Sequence, residues 1–162
     1  MANDSDDGPL KPTVLDRLLA DQDVSDYEYD VGYSVEDLKE SVQRNLELLL
    51  NTKWRATSWP DTLTELDLSL LNYGIPDFAS MTLSSNAAEW LRKKIEKAIT
   101  HNEPRFLTVT VESDSSEADL ARRELRFRIE GTLRAIPEPE PVLFDTQLDS
   151  ERRRIGVQEA NE

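Results

Sequence analysis

The sequence contains no cysteine and only one histidine, His101. Without thiols there is no disulfide, zinc-thiolate site, iron-sulfur cluster or thiol nucleophile. A single histidine gives no imidazole pair for a metal and no catalytic triad, and near the end of an amphipathic helix it is typical of a capping or surface residue. We therefore predict no metal, no cofactor and no catalytic residue.

Glycines and long apolar runs are also scarce. The glycines, at positions 8, 32, 74, 131 and 156, form no phosphate-binding cluster. No stretch approaches the roughly 20 apolar residues of a membrane helix, and the start, MANDSDDGPL, lacks the basic and apolar regions of a secretory signal. Because a cysteine-free chain also suits a reducing compartment, we expect a cytoplasmic protein with no direct membrane insertion.

Acidic residues dominate the charge: 33 Asp and Glu against 19 Lys and Arg, a net charge of -14. This field repels phosphate, so we expect no nucleic-acid partner. Glycan hydrolysis is the hardest enzyme class to exclude, because it requires only two carboxylates. Such a pair needs a cleft that separates the two pKa values, and no pattern indicates one. The prediction is a protein that is not an enzyme.

The first 30 residues read as a flexible acidic segment with a short helix near residues 13–20. That helix is predicted by apolar residues on one face: Val14, Leu15, Leu18 and Leu19. Two turns are unstable alone, so the helix must dock on something. Two hypotheses stay open for this segment: a solvated linker, or a tethered helix that reaches a partner.

Two longer amphipathic helices follow. The first runs from about Ser34 to Leu50, with an apolar stripe of Val35, Leu38, Val42, Leu46 and Leu49. The second begins at Ser84 or Ser85 and ends by about Asn102, with Ala88, Leu91, Ile95, Ala98 and Ile99 on one face.

A short helix is predicted between them from Leu63, Leu66, Leu70 and Leu71. It ends before Gly74, which can adopt a left-handed conformation, and Pro76 prevents its continuation. We assign Tyr73, Gly74 and Pro76 a structural role.

The apolar period then changes to two. Residues Leu107, Val109 and Val111 alternate with Phe106, Thr108 and Thr110, and Leu125, Phe127 and Ile129 alternate with Arg126, Arg128 and Glu130. These segments predict an antiparallel pair, and VLFDTQLD predicts a third strand after the proline-rich IPEPEPV. The fold class is therefore α+β: two main amphipathic helices on a small, mainly antiparallel sheet of about three strands. We assign residues 31–149 to one domain and residues 150–162 to a charged tail.

Two sets of charged residues are candidate binding sites. Arg126 and Arg128 share one strand face, which is either simply solvated or a basic strip for an acidic partner or for the chain's own acidic segments. In HNEPRFLTV, Pro104 fixes the backbone between Glu103 and Arg105. This Glu-Pro-Arg step is either a charged turn or a rigid contact for another chain, because a guanidinium takes a carboxylate in two parallel hydrogen bonds.

Several segments, in order, resemble one family: TVLDRLL, SVQRNLELLLNTK, SLLNYGIPDF, NEPRF, RFRIEGTL and PVLFDTQLD. Together they resemble TssE, the small baseplate subunit of the bacterial type VI secretion system, which is similar to a wedge protein of contractile phage tails. The similarity covers roughly residues 13–149. The family's Glu-Pro-Arg motif falls on Glu103, Pro104 and Arg105, followed by Phe106 where a smaller aliphatic residue is expected.

The resemblance implies a structural, sheath-like domain in a baseplate at the cytoplasmic side of the inner membrane. Its implied partners are the wedge subunits TssF and TssG and the contractile sheath of TssB and TssC, whose assembly it helps to start. With this resemblance, the contact hypothesis is favoured for the charged step, and the predicted partner-binding residues are Glu103, Pro104, Arg105, Arg126 and Arg128.

Two alternatives remain. Some relatives are labelled lysozyme-related, so a peptidoglycan hydrolase is the first alternative. Phage-type lysozymes place an acidic or Cys residue nine positions after a Glu and a Thr six further on. Here Glu28 and Asp37 are followed by Gln43, and Glu140 and Asp149 by Ile155, so the pattern is incomplete. The second alternative is a generic acidic adaptor whose flexible ends carry the function.

Overall fold

The protein is described by a computed structural model over residues 12–19, 33–54, 62–67, 69–77, 84–116, 119, 124–149 and 154–160. Helices and strands follow one another in two blocks. The helical block comprises α1 (Val14–Leu19), α2 (Val35–Asn51), α3 (Thr64–Asp67), a 3-10 helix (Leu70–Asn72) and α4 (Ser85–Asn102). The strand block comprises β1 (Phe106–Ser113), β2 (Glu124–Leu133), β3 (Glu140–Asp149) and β4 (Arg154–Glu159).

Both long helices begin at a serine cap. The Ser34 hydroxyl accepts a hydrogen bond from the Asp37 N–H, and the Asp37 carboxylate accepts one from the Ser34 N–H, which completes a capping box at the start of α2. Ser84 caps α4 through the N–H of Ala87. The predicted helix starts are therefore correct, because these signals lie within one turn of the residues they serve.

The strands form one antiparallel sheet in the order β1-β2-β3-β4. Helix α4 packs against β1, α2 packs against β3 and β4, and the two helices contact each other. The buried core between helices and sheet includes the inward side chains Leu46, Leu50, Leu91, Ile95, Ile99, Phe127, Ile129, Phe144 and Leu148. This confirms the α+β class, with four strands instead of about three.

The fourth strand corrects the assignment of residues 150–162 to a charged tail. Arg154–Glu159 pairs with β3, and Ile155 and Val157 point into the core with 1% and 4% of their surface exposed. Their charged and polar neighbours face solvent. A short period-two pattern with only two apolar residues is hard to distinguish from a polar tail until a neighbouring strand is known.

The start of β1 contains a bulge that changes which residues face the core. The register shifts between Phe106 and Thr108, so Phe106 lies opposite Leu133 and packs against the core, while Leu107 is 46% exposed. The prediction that Leu107 shares a face with Val109 and Val111 is therefore wrong. One extra residue in a strand reverses the inward and outward alternation on one side of it.

The predicted short helix around Leu63–Leu71 is split into α3 and the 3-10 helix. Its leucines form no buried stripe, since Leu70 is 86% exposed and Leu71 52%. At the N-terminus, α1 lies inside the predicted range 13–20, and most of the predicted flexible segment 1–30 lies outside the described residues.

Candidate functional site

The Glu-Pro-Arg step forms an ion pair across the turn between α4 and β1. Glu103 caps the end of α4, where its N–H donates to the Ile99 carbonyl at 2.9 Å. Arg105 then reaches back over Pro104, with Nε donating to Glu103 Oε1 at 2.7 Å and Nη2 to Oε2 at 2.6 Å. Glu103 is only 5% exposed, so the pair is largely removed from water.

A chain of hydrogen bonds continues from this pair into the helices. Arg105 Nη1 donates to Ser41 Oγ on α2 at 2.8 Å, and Ser41 Oγ donates to Asp16 Oδ2 on α1 at 2.7 Å. Arg44, one turn beyond Ser41, donates to Asp16 Oδ1 at 3.0 Å. We call Glu103, Arg105, Ser41, Asp16 and Arg44 the polar network; it joins α1, α2 and the α4–β1 turn.

The surroundings shift the pKa values of two network residues, Arg105 and Asp16, and of the neighbouring Tyr73. Burial would lower the pKa of Arg105, but its hydrogen bonds and attraction to Glu103 outweigh burial and raise that pKa. Burial would raise the pKa of Asp16, but hydrogen bonds from Thr13 and Ser41 and the charge of Arg44 lower it overall. Burial and the negative charge of Glu103 raise the pKa of the Tyr73 phenol. The network therefore favours the charged forms of Arg105 and Asp16.

A cavity of about 300 Å³ lies beside the polar network. It is lined by residues of α1, α2 and the α4–β1 turn, among them Val14, Leu15, Leu46, Leu49, Tyr73 and Glu103. One wall thus belongs to the short helix α1, and the rest belongs to the helical layer of the domain.

The predicted arginines of β2 lie elsewhere, on the sheet face that points away from the helices. Arg128 pairs with Asp145 of β3 at 3.0 Å. The hydrogen bond to Asp145 and the charge of Asp145 raise the pKa of Arg128, and burial opposes this rise only weakly. Arg126 lies 3.5 Å from Glu124 and 3.8 Å from Asp119. The structure therefore does not bring Arg126 and Arg128 together with Glu103 and Arg105, and each arginine contacts an acidic residue of its own chain.

The segment around Gly74 fixes the chain against the end of α2. Gly74 has φ of 107°, and a Cβ there would lie 2.2 Å from the Thr52 carbonyl oxygen. Ile75 is buried and forms a parallel bridge with Lys53, followed by the half-buried Pro76. Tyr73 packs against the core. Only glycine fits both the backbone angle and the close approach at position 74.

The two outer edges of the sheet differ. On β4, Asn51 Nδ2 donates to the Ile155 carbonyl at 2.8 Å, and Asn51 Oδ1 accepts from the Ile155 N–H at 2.9 Å. Gln43 Nε2 donates to the Val157 carbonyl at 2.9 Å. Side chains of α2 therefore occupy backbone groups that would otherwise pair with another strand.

On β1, the register turns the N–H and C=O groups of Val109, Val111 and Ser113 away from β2. Arg92 of α4 donates to the Val111 carbonyl at 2.9 Å. Within the described ranges, the outward backbone groups of Val109 and Ser113 have no strand opposite them. The β1 edge is thus more open to strand addition than the β4 edge.

Two of the four carboxylates at the lysozyme-like spacing have structural partners. Asp37 belongs to the α2 capping box, and Glu140 pairs with Lys39 at 2.7 Å. Glu28 lies outside the described residues. Across the part of the chain that the structure describes, no three His, Cys, Asp or Glu side chains are grouped to hold a metal ion, and no helix there is long and apolar enough to cross a membrane.

Sequence reasoning missed Asp16, Ser41 and Arg44 of the network and the edge-capping residues Gln43 and Asn51. A signal existed for Ser41: it lies three positions after Leu38, on the apolar stripe, so its helix position is buried although it is polar. For Asp16 the signal was the Thr13-x-x-Asp16 spacing of a helix cap. Nothing local marks Arg44, Gln43 or Asn51, because their partners are distant in sequence.

A helix pair on one face of a four-stranded sheet, with its buried charges paired internally and one sheet edge open, defines a small α+β structural subunit. A family model for the baseplate wedge protein gp25 matches residues 36–138, and the chain belongs to that family. This confirms the resemblance seen in the sequence. A search of curated proteins found no match. The chain therefore has a structural role in the baseplate of a contractile tail.

Proposed function

We propose that this chain is the TssE-type subunit of a type VI secretion baseplate, at the cytoplasmic side of the inner membrane. It joins the TssF and TssG wedge subunits and helps the TssB and TssC sheath to begin assembling. The observation that carries the proposal is the match to the baseplate wedge family across α2, α4 and the Glu-Pro-Arg step. The role is structural and needs no bond-breaking chemistry.

Strand addition at β1 gives a physical route to the sheath. A partner strand laid against β1 would pair with the outward groups of Val109 and Ser113, and backbone hydrogen bonds supply affinity in such contacts. The β4 edge is disfavoured, because Asn51 and Gln43 already occupy Ile155 and Val157. The proposal therefore assigns the sheath contact to β1.

The wedge contact is assigned to the Glu-Pro-Arg turn and the surface around it. Arg105 is bonded to Glu103 and Ser41 in the free chain, so its guanidinium is positioned before any partner arrives. Its side chain retains 18% exposure, which leaves part of it accessible to a second carboxylate.

The test is co-purification with TssF and TssG homologues together with seeding of TssB–TssC sheaths, counted by electron microscopy. Ser113→Pro removes an outward N–H at the β1 edge and is expected to reduce sheath seeding while wedge binding persists. Ser113→Ala is the matched control and is expected to seed normally. Absence of any complex with TssF and TssG would refute the proposed function.

The adaptor alternative stays a prediction with its own test. Removing residues 1–11 leaves the Thr13–Asp16 contact intact and deletes the first acidic stretch of the N-terminal segment, with Asp4, Asp6 and Asp7. A baseplate subunit of the kind proposed keeps its wedge partners after this deletion, whereas an adaptor that acts through its acidic end loses them.

A further inference from the structure

The hydrogen bonds that join helix α1 to the domain converge, among the described side chains, on Asp16. Its carboxylate accepts hydrogen bonds from Thr13, Ser41 and Arg44. Two apolar residues on the other side of the helix, Val14 and Leu18, are 71% and 76% exposed, whereas the half-buried Leu15 lines the cavity. A six-residue helix has too few turns to be stable alone, so its place depends on the Asp16 contacts.

The surface beneath α1 presents a hydrogen-bond donor, Ser41, and a positive charge, Arg44, to a carboxylate. Ser41 Oγ accepts from Arg105, so its own proton must go to a different acceptor, which here is Asp16. Arg44 adds a positive charge on the other oxygen of that carboxylate. Leu46 and Leu49 line the neighbouring cavity and give the groove an apolar side.

We propose that α1 is an internal occupant of a docking groove for an acidic amphipathic helix of a wedge partner. On assembly, an Asp or Glu of the partner takes the place of Asp16 on Ser41 and Arg44, and α1 leaves. This inference rests on the proposed function, in which the turn carrying Arg105 contacts a wedge subunit. The groove is called the α1 groove: Tyr33, Ser41, Arg44, Leu46 and Leu49.

The docked state and the proposed partner-bound state use the same hydrogen-bond donors, Ser41 and Arg44, so one carboxylate can replace the other. The Tyr33 hydroxyl lies 3.4 Å from Asp16 Oδ2 and 3.2 Å from the Asp37 carbonyl, so it keeps a partner when α1 departs. Residues 20–34 separate α1 from α2. Extended chain spans about 3.3 Å per residue, so this length allows α1 to leave without displacing α2. The partner binds only those chains whose groove is open. Its apparent affinity is therefore the intrinsic affinity multiplied by the fraction of chains in which α1 has left the groove.

Substitution of Asp16, the residue that holds α1 in the groove, tests the proposal. Asp16→Ala is expected to bind the TssF–TssG complex about tenfold more tightly than the unmodified chain, because the groove is no longer occupied. Glu40→Gln is the matched control: it changes the other acidic partner of Arg44, leaves Asp16 in place and is expected to bind normally. A synthetic peptide of residues 12–19 is expected to compete with TssF–TssG for Asp16→Ala, and the same peptide carrying the Asp16→Ala change is not.

Movement of α1 is measured separately with spin labels, which the absence of native cysteine makes simple. Labels at Leu18→Cys and Glu36→Cys, both exposed positions, are expected to give one narrow distance in the free chain and a longer, broader distribution with TssF–TssG. Binding that leaves this distance unchanged, or weaker binding by Asp16→Ala, would overturn the inference alone. No binding by either chain would refute the proposed function and this inference together.

Discussion

Asn51 of α2 pairs with both backbone groups of Ile155, donating to its carbonyl at 2.8 Å and accepting from its N–H at 2.9 Å. A side-chain amide thus occupies the place of one residue of a fifth strand. Because Ile155 lies on the outer edge of β4, the helix layer closes this edge of the sheet. Among the described residues, no side chain pairs in this way with the outward backbone groups of Val109 or Ser113 on β1.

The first prediction concerns this edge. Asn51→Ala is expected to lower the free energy of unfolding by about 1–3 kcal/mol, since two backbone groups lose their partner. Urea denaturation of the purified chain measures the change. Lys97→Ala, at an exposed position of α4, serves as the control and should stay within about 0.5 kcal/mol of the unmodified protein. Equal stabilities for the two variants would contradict the assigned role of Asn51.

Substitution by alanine is expected to change the stability by different amounts at two glycines of the sheet, Gly131 and Gly156. At Gly131 a Cβ would lie 2.7 Å from the Phe106 ring and 2.7 Å from the Thr108 carbonyl oxygen, whereas at Gly156 nothing lies within 4 Å. Gly131→Ala is therefore expected to cost about 1–3 kcal/mol through overpacking. Gly156→Ala should be neutral within about 0.5 kcal/mol or slightly stabilising. Thermal unfolding of both variants gives the comparison, and a harmless Gly131→Ala would mean that Phe106 does not cover Gly131.

Substitutions of Glu103 and Arg105, the ion pair across Pro104, are expected to have non-additive effects on the free energy of unfolding. Arg105→Met strands the buried Glu103 carboxylate and is expected to cost about 3 kcal/mol or more. Glu103→Gln combined with Arg105→Met removes the stranded charge, so the double variant should be more stable than Arg105→Met alone. A double-mutant cycle by urea denaturation is expected to give an interaction of at least about 1 kcal/mol. Strictly additive single effects would show that the pair contributes nothing.

This pair also determines how the wedge contact must be tested. Because Arg105→Ala or Arg105→Met disturbs the fold, a lost complex with either variant has two explanations. The double variant keeps the buried region uncharged, so loss of TssF–TssG binding at near-normal stability reports on the contact itself.

The docking of α1 is expected to depend on pH through Asp16. The folded pKa of Asp16 lies below its ordinary value of 3.8, so the unfolded chain binds this proton more readily. The contact therefore stabilises docked α1 fully above that ordinary value and is lost as the pH falls through the lowered pKa. Facing groups are Arg44 and Tyr33, with Arg105 acting through Ser41.

Carbon-detected NMR titration of the Asp16 carboxyl group measures this pKa directly. Ser41→Ala removes one hydrogen bond to the carboxylate and should raise the Asp16 pKa toward its ordinary value. Asp37, whose pKa is lowered by hydrogen bonds from Ser34, is an internal reference that should not change. An Asp16 that titrates at its ordinary value in the unmodified chain would show that α1 is not docked through this side chain.

Local signals predicted the long helices well. Ser34 and Ser84 cap the turns that follow them, and the apolar stripes of α2 and α4 repeat at the helical period. The sheet was less accessible to prediction, because Leu107 is turned outward by a bulge that depends on pairing with β2. The β4 strand was not predicted, because two alternating apolar residues, Ile155 and Val157, indicate a strand only once β3 is known to lie beside them.

The candidate site, like the fold, could be predicted from the sequence only in part. Glu103 and Arg105 stand out in the sequence because Pro104 fixes the step between them, and the structure brings them together within the chain. Their contact with another subunit stays a proposal. Local spacing marks Asp16 as a helix-cap residue and Ser41 as a buried polar position, but their contact could not be predicted, since a hydrogen bond between residues 25 positions apart leaves no periodic signal.

The sequence by itself determined the limits of the long helices α2 and α4, the α+β class and the stiff charged step, since caps, apolar periods and proline geometry act over a few residues. Only the tertiary structure decided which charges are neutralised internally, which strand edge is covered and where α1 rests. Those outcomes depend on distances between remote segments, and a buried charge or an edge N–H takes whichever partner the packed helices and strands bring within hydrogen-bonding reach.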